Sequence, residues 1–213
     1  MLTIYGRANS FNVQKVMWIA AELGLTHKRV DVGGKFGGRD TPEFRTMNPH
    51  GWIPVIDDGG IIVWESNAIV RYLAAKYGAG TPWWPHDAAV RAHSDQWMEW
   101  ASSTLNAGFL GVFLGFYRTA EAKRDWPKIK SDLARAVTDY STLDRHLEKR
   151  RFVAGDAPSI GDIPIGATLF RWFTLEIDRP KLPNLEAYYA RLTARAPYAT
   201  HVMVGYEDLK GNL

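Results

Sequence analysis

Three groups of residues in this 213-residue chain place polar chemistry where a fold can use it. Tyr5, Ser10 and Asn12 bracket the passage from a short apolar run into a helical period. Trp52-Ile53-Pro54 sets a proline inside a strand-like run, and Glu65-Ser66 opens a second helical period. A hydroxyl or amide at such a helix start either caps it or donates one hydrogen bond to a ligand. Ser66, with the free N–H groups and dipole of a helix start, can also bind a carboxylate. What is absent narrows the chemistry. There is no cysteine, so disulfides, thiolate metal sites and a catalytic thiol of the protein's own are excluded. The six histidines show no ligand spacing, and no metal is expected. Gly33 to Gly38 lacks the lysine-serine ending of a phosphate loop and does not open a helix after a strand. No Gly-x-Ser-x-Gly elbow is present to raise a serine nucleophile.

The elements that must hold these residues follow from the apolar spacing. Leu2 to Tyr5 reads as a strand, and Val13, Val16, Met17, Ala20 and Leu23 recur at helical spacing up to Gly24. His27 to Val32 predicts a second strand, parallel to the first after a helical crossover. Trp52–Ile56 and Ile61–Trp64 flank Asp57-Asp58-Gly59-Gly60, a hairpin signal, and a helix follows through Ile69, Val70, Leu73 and Tyr77. Gly78 to Pro85 breaks regular structure as a linker does. Beyond it there are only helical periods: Asp87 to Arg118 as one long helix or a broken pair, then Ile129 to Leu147. Ser159-Ile160-Gly161-Asp162 has capping-box spacing, with Ser159 expected to accept from the backbone and Asp162 to reach back. Pro164 is expected to perturb the first turn of that helix. The expected domains are 1–79, α/β, and 87–213, all-α. A 46% hydrophobic, 23% charged chain of this length can bury a core without staples.

The formal charge of +3 and pI near 9.1 suit a small anionic ligand. The densest cations, Lys149-Arg150-Arg151, fall at a helix end where they complement its dipole, so nucleic acid is not an expected partner. No apolar run approaches a membrane span, and the first residues lack the pattern of a secretory leader, so a cytoplasmic location is expected.

Two parallel strands followed by a hairpin match a thioredoxin-like half. Asn48-Pro49-His50-Gly51-Trp52-Ile53-Pro54-Val55, Trp64-Glu65-Ser66-Asn67-Ala68-Ile69, and Ser159 with Asp162 make the likeness specific. The chain resembles the soluble glutathione transferases, of the serine- or asparagine-type bacterial kind, over essentially its whole length. The resemblance implies a cis Pro54 and an outward-facing Ile53 backbone that pairs with the cysteinyl part of glutathione as an added strand. It also implies that Ser66 holds the γ-glutamyl carboxylate and Glu65 the ammonium. In two places the pattern departs: Trp52 and Asn67 stand where cations are common. Lys35, Arg39 or His50 are candidates to replace the one that meets the glycyl carboxylate.

The implied reaction puts the glutathione thiolate onto a small apolar electrophile, glutathione being co-substrate. A free thiol of pKa about 8.5 is only a few per cent ionised at neutral pH. One hydrogen bond to the thiolate contributes about 1.5–3 kcal/mol, lowering that pKa by roughly one to two units. Ser10, placed as in theta- and delta-like classes, Asn12, placed as in the yeast nitrogen-regulator relatives that reduce disulfides, and Tyr5, placed as in alpha-, mu- and pi-like classes, are the candidate donors. Phe109, Phe113 and Tyr117 fall at i, i+4 and i+8 and either line the electrophile pocket or fill the core. The alternatives are a glutathione-dependent disulfide reductase or peroxidase on the same fold, and a non-catalytic glutathione-binding module. A homodimer is expected.

Overall fold

The computed structural model describes residues 1–213. Its first half runs β1 (Leu2–Tyr5), α1 (Phe11–Glu22), β2 (His27–Val30), α2 (Pro42–Met47), β3 (Val55–Asp58), β4 (Ile61–Trp64) and α3 (Ser66–Tyr77). The sheet order is β2-β1-β3-β4, with β1 and β2 parallel and the other pairs antiparallel. The expected thioredoxin-like arrangement is therefore present. Helix α2 had no apolar period to announce it, being a single short turn-and-a-half started by Thr41, whose hydroxyl accepts from the Phe44 N–H.

The hairpin is shorter at its tip and later in its start than the spacing suggests. Asp58 pairs with Ile61, leaving only Gly59-Gly60 as the turn, both with positive φ. Asp58 is buried and accepts from the Tyr72 and Tyr77 hydroxyls and Lys76 Nζ at 2.7–2.9 Å, tying the hairpin to α3. At the other end β3 begins at Val55, because Ile53-Pro54 is a cis peptide and the run from Trp52 is not a strand.

The second half holds α4 (Ala88–Trp100), α5 (Asn106–Val112), α6 (Trp126–Leu147), α7 (Asp162–Thr174), α8 (Pro183–Thr193) and α9 (Ala196–His201). Residues 88 to 118 form one rod: π-helical turns at Ala101–Leu105 and Phe113–Arg118 continue α4 and α5 with every junction in the right-handed helical region. A single core joins the halves. Trp18 of α1 is fully buried against α7, where a side chain at Gly166 would lie 2.7 Å from the indole ring. Its Nε1 donates to Glu22 at 2.8 Å, and Glu22 also accepts two bonds from Arg195, at 2.8 and 2.5 Å.

The start of α7 corrects the capping expectation. Asp162 does reach back to the Ser159 N–H at 2.7 Å, but the Ser159 hydroxyl donates to the same carboxylate at 3.0 Å instead of accepting from the backbone. The other carboxylate oxygen accepts from the Val153 N–H and the Tyr188 hydroxyl at 3.0 and 2.7 Å. Pro164 does not perturb the helix, since the third residue of a helix has no intrahelical acceptor to lose. Asp162 is fully buried, so Asp162→Ala leaves two N–H groups and two hydroxyls without it. At about 1–3 kcal/mol for an orphaned buried donor, the variant is expected to lose roughly 3 kcal/mol or more of unfolding free energy. Urea denaturation checks this, and a loss under about 1 kcal/mol contradicts it.

Candidate functional site

Strand register brings the three polar groups to one end of the sheet. Tyr5 pairs with Val55, and Val55 with Trp64, so the last residues of β1 and β4 and the first of β3 form one row. Just past that row lie Gly6 to Ser10, Ile53-Pro54 and Glu65-Ser66. The N-termini of α1 and α3 open at the same end. Gly6, at φ 149°, makes the close approach possible, because a side chain there would strike Val13 and come within 3.3 Å of Ile53.

Each predicted residue has a definite place. Ser10 is the N-cap residue of α1, partly buried, and its hydroxyl makes no capping bond. Asn12 Oδ1 accepts from the Ser66 hydroxyl at 3.3 Å. Tyr5 packs with Val32, Phe44 and Val55 in a small cluster under the sheet end. The Ile53 N–H and C=O take no part in internal backbone pairing and remain available to a strand-like ligand. Ser66 is the first helical residue of α3, not its cap. The cap is Glu65, a non-glycine residue at φ 68°, a strained conformation of the kind that persists where the surroundings impose it. Glu65 is exposed at the rim, and Ser66 is buried with its N–H at the positive end of the helix.

The three candidate cations separate. Arg39, stacked 4.9 Å over the Trp52 ring, and His50, 5.3 Å from the Trp64 ring, both line a cleft of about 410 Å³ together with Arg45 and Trp52. Lys35 instead faces Asp208 at 3.9 Å. Asn67 is directed away from Glu65 and Ser66, donating to the Ser102 hydroxyl of the second half at 2.8 Å. Phe109 and Phe113 are almost fully buried and stack in a secondary core with Leu175, Tyr206 and Leu209, whereas Tyr117 lines a cavity of about 490 Å³ with Phe116, Phe170 and Tyr206.

Sequence reasoning missed Lys15. Its side chain is 2% exposed, lies 4.5 Å from the Phe11 ring centre and donates to the Ser66 hydroxyl at 3.4 Å. Burial pushes its ammonium down to about 7, opposed only by the negative charge of Glu65. The signal was a lysine inside the run Val13 to Val16, on a helix whose other neighbours are all interior. Lys15 thus puts an ionisable amine beneath Ser66, where Asn67 puts none. A carboxylate arriving at Ser66 would meet two helix-start N–H groups, a weakly held hydroxyl and a lysine that gains stability by protonating. The arrangement can hold an anionic α-amino acid group, extend the ligand backbone along Ile53, and bring the adjoining side chain to Ser10.

Family comparison agrees in extent. Residues 1–75 match the model for the glutathione S-transferase N-terminal domain, and residues 127–191 that for a glutathione S-transferase C-terminal domain. Glutathione S-transferase GstB of Escherichia coli is 36% identical, covering 96% of this chain and 99% of its own. Glutathione S-transferase D6 of Drosophila melanogaster is 28% identical over 88% and 85%. Among solved structures, the theta-class enzyme of Xanthomonas axonopodis pv. citri with glutathione bound superposes at TM-score 0.92, with 43% identity and coverage of 96% and 98%. A delta-class transferase of Nilaparvata lugens gives 0.83 at 29% identity, covering 100% and 96%.

Because Lys15 ionises near neutrality when folded and near 10.5 when unfolded, the unfolded chain binds more protons between those values. Unfolding free energy therefore rises with pH in that window and the lysine's burial cost is greatest below it. Lys15→Met is expected to remove about 2 kcal/mol of the stability gained between pH 7 and pH 9. Parallel denaturant curves for wild type and variant at both pH values measure this, and identical pH dependence would refute it.

Proposed function

The chain belongs to the glutathione S-transferase family, and on that premise we propose that it binds glutathione across the end of its sheet and conjugates the tripeptide's thiolate to a small electrophile. The single observation that supports the reading is the shared row of Tyr5, Val55 and Trp64, just past which come the unbonded Ser10 hydroxyl, the free Ile53 backbone and the Ser66 helix start.

In this reading the γ-glutamyl carboxylate lies on Ser66 over Lys15, its ammonium faces Glu65, and the cysteinyl amide pairs with the Ile53 N–H and C=O. The glycyl carboxylate enters the cleft of Arg39 and His50. The sulfur then meets Ser10. The hydroxyl donates to the thiolate, and the released proton passes to solvent. The thiolate attacks the electrophilic carbon, a C–S bond forms, and the leaving group departs with its electron pair. Ser10, whose hydroxyl is unbonded at the head of α1, is the favoured donor. Asn12, held to Ser66 through its Oδ1 with its amide N–H groups left to donate, is the competitor that the titration below tests. Tyr5 is disfavoured because its ring packs in a core cluster. Residues 1–79 form the glutathione domain, 87–213 supply the electrophile side, and the protein works in the cytoplasm as a homodimer, first domain against the partner's helices. No helix is long and apolar enough to cross a membrane.

Two outcomes are expected. Titrating the ultraviolet absorbance of bound glutathione should show the thiol ionising about one to two units below the free tripeptide, a shift that Ser10→Ala abolishes. A shift that survives in Ser10→Ala and vanishes in Asn12→Ala reassigns the donor, and an unshifted thiol in wild type removes the enzymatic reading. Light scattering should return twice the 24.0 kDa chain mass, and a monomer at micromolar concentration excludes the dimer.

A further inference from the structure

Immediately before Ser10, the Asn9 carbonyl accepts from Arg171 Nη2 at 2.7 Å. Arg171, on α7, is 3% exposed, and its guanidinium lies over the rings of Phe113 and Tyr206 at 4.6 and 5.4 Å. Its Nε has no partner, and no carboxylate lies within 4 Å of it. A buried guanidinium is ordinarily paired, because an unpaired one forfeits its hydration for nothing. Burial pulls Arg171 down to about 9, and the charges of Arg7 and Arg118 push in the same direction against the two tyrosines, Tyr206 and Tyr117. Arg7 and Arg118 are likewise depressed, first by burial, and Arg118's charge also weighs on Arg7. Neither makes an ion pair: Arg7 donates to the Asn9 side-chain oxygen, and Arg118 to Asn212 at 2.9 and 3.1 Å.

Three guanidinium groups are thus gathered beside Ser10, with one acid acting on two of them. That acid, Asp208, stands on the single turn Glu207–Leu209 and raises both Arg7 and Arg118 without pairing with either. Its contacts are the Asn9 amide at 2.6 Å and the outlying Lys35. It is an exposed carboxylate on a short segment, not a fixed counter-ion. Beside the cations stands an aromatic wall, Phe113, Tyr117 and Tyr206, with ring centres 4.9–5.7 Å apart.

We propose that Arg7, Arg118 and Arg171 form an anion subsite that takes the carboxylate of a carboxylate-bearing electrophile, with Asp208 as the displaceable internal occupant. The electrophile is then amphiphilic, its apolar body against Tyr117, the member of the wall that is only partly buried, and its charge on the guanidinium groups, instead of apolar throughout. Its reactive carbon is held near the glutathione sulfur. With a 4-chloro-3,5-dinitrobenzoate ring, the thiolate adds at the chlorine-bearing carbon, the C–Cl bond breaks, chloride leaves, and the thiol proton goes to solvent.

The subsite rests on the conjugation reading for its reaction but not for its binding, so binding is the test. Calorimetric affinities of unreactive 3,5-dinitrobenzoate and neutral 1,3-dinitrobenzene are compared in wild type, Arg118→Ala, Arg7→Ala and Asp208→Asn. The benzoate is expected to bind about tenfold more tightly than the neutral ring, the measure of one charge-assisted hydrogen bond. That preference should fall in both arginine variants and grow severalfold in Asp208→Asn. Equal affinity of the two rings in wild type, or a preference untouched by both arginine variants, overturns the subsite. Turnover of neutral 1-chloro-2,4-dinitrobenzene is followed separately: its absence in wild type would count against thiolate transfer while leaving the binding result standing.

Discussion

Helix α1 has no solvent face, and most of the molecule is arranged to make that possible. Every residue from Val13 to Ala20 is buried. The sheet and α3 cover it from the first half, and α7 and α9 from the second. A helix enclosed on all sides belongs to two layers at once, so its apolar residues knit the halves into one core, and each polar residue on it needs an interior answer. Lys15 finds Ser66 and the Phe11 ring, Trp18 finds Glu22, and Glu22 finds Arg195, whereas the buried Gln14 leaves its Nε2 without a partner. The N-terminus of the same helix presents Ser10. Burial of α1 is thus the reason the site lies where the two halves meet.

The site's electrostatics follow from the same enclosure. Lys15 beneath Ser66 and Arg171 behind Asn9 are both buried cations without a carboxylate at contact distance. Placed in water, either would be ordinary. Placed in the interior, each makes its end of the cleft favourable to an anion, since a counter-charge recovers solvation the protein removed. In the proposed reaction a thiolate forming between them would benefit from the same field, which would act together with the hydrogen bond proposed for Ser10.

How far the sequence could be read depends on which physical rule governed each feature. The period-driven elements, β1, α1, the hairpin and α6, were legible because burial on one face writes itself into residue spacing. Helix α2 was not, being too short to show a period. The start of β3 was misread because Ile53-Pro54 carries strand-like residues in a non-strand conformation. Residues 52–54 and 65–66 were located by motif, but that Ser66 is the first helical residue and Glu65 the strained cap is a matter of backbone angles no composition reports. Lys15 and Arg171 were overlooked for one shared reason. Each sits in an apolar stretch where a charged residue looks like the solvated edge of a helix, and only packing from elements distant in the chain shows that no solvated edge exists.

The Glu22–Arg195 bridge has a bearing on how such a chain can change over generations. Its two ends lie 173 positions apart, one in each half, and Glu22 is nearly closed off from water. A recombination event that imports a new first half must bring an acid at the end of the incoming helix, or it strands a guanidinium at the seam. At this point of the seam the two halves are a matched pair, each completing a charge the other half supplies.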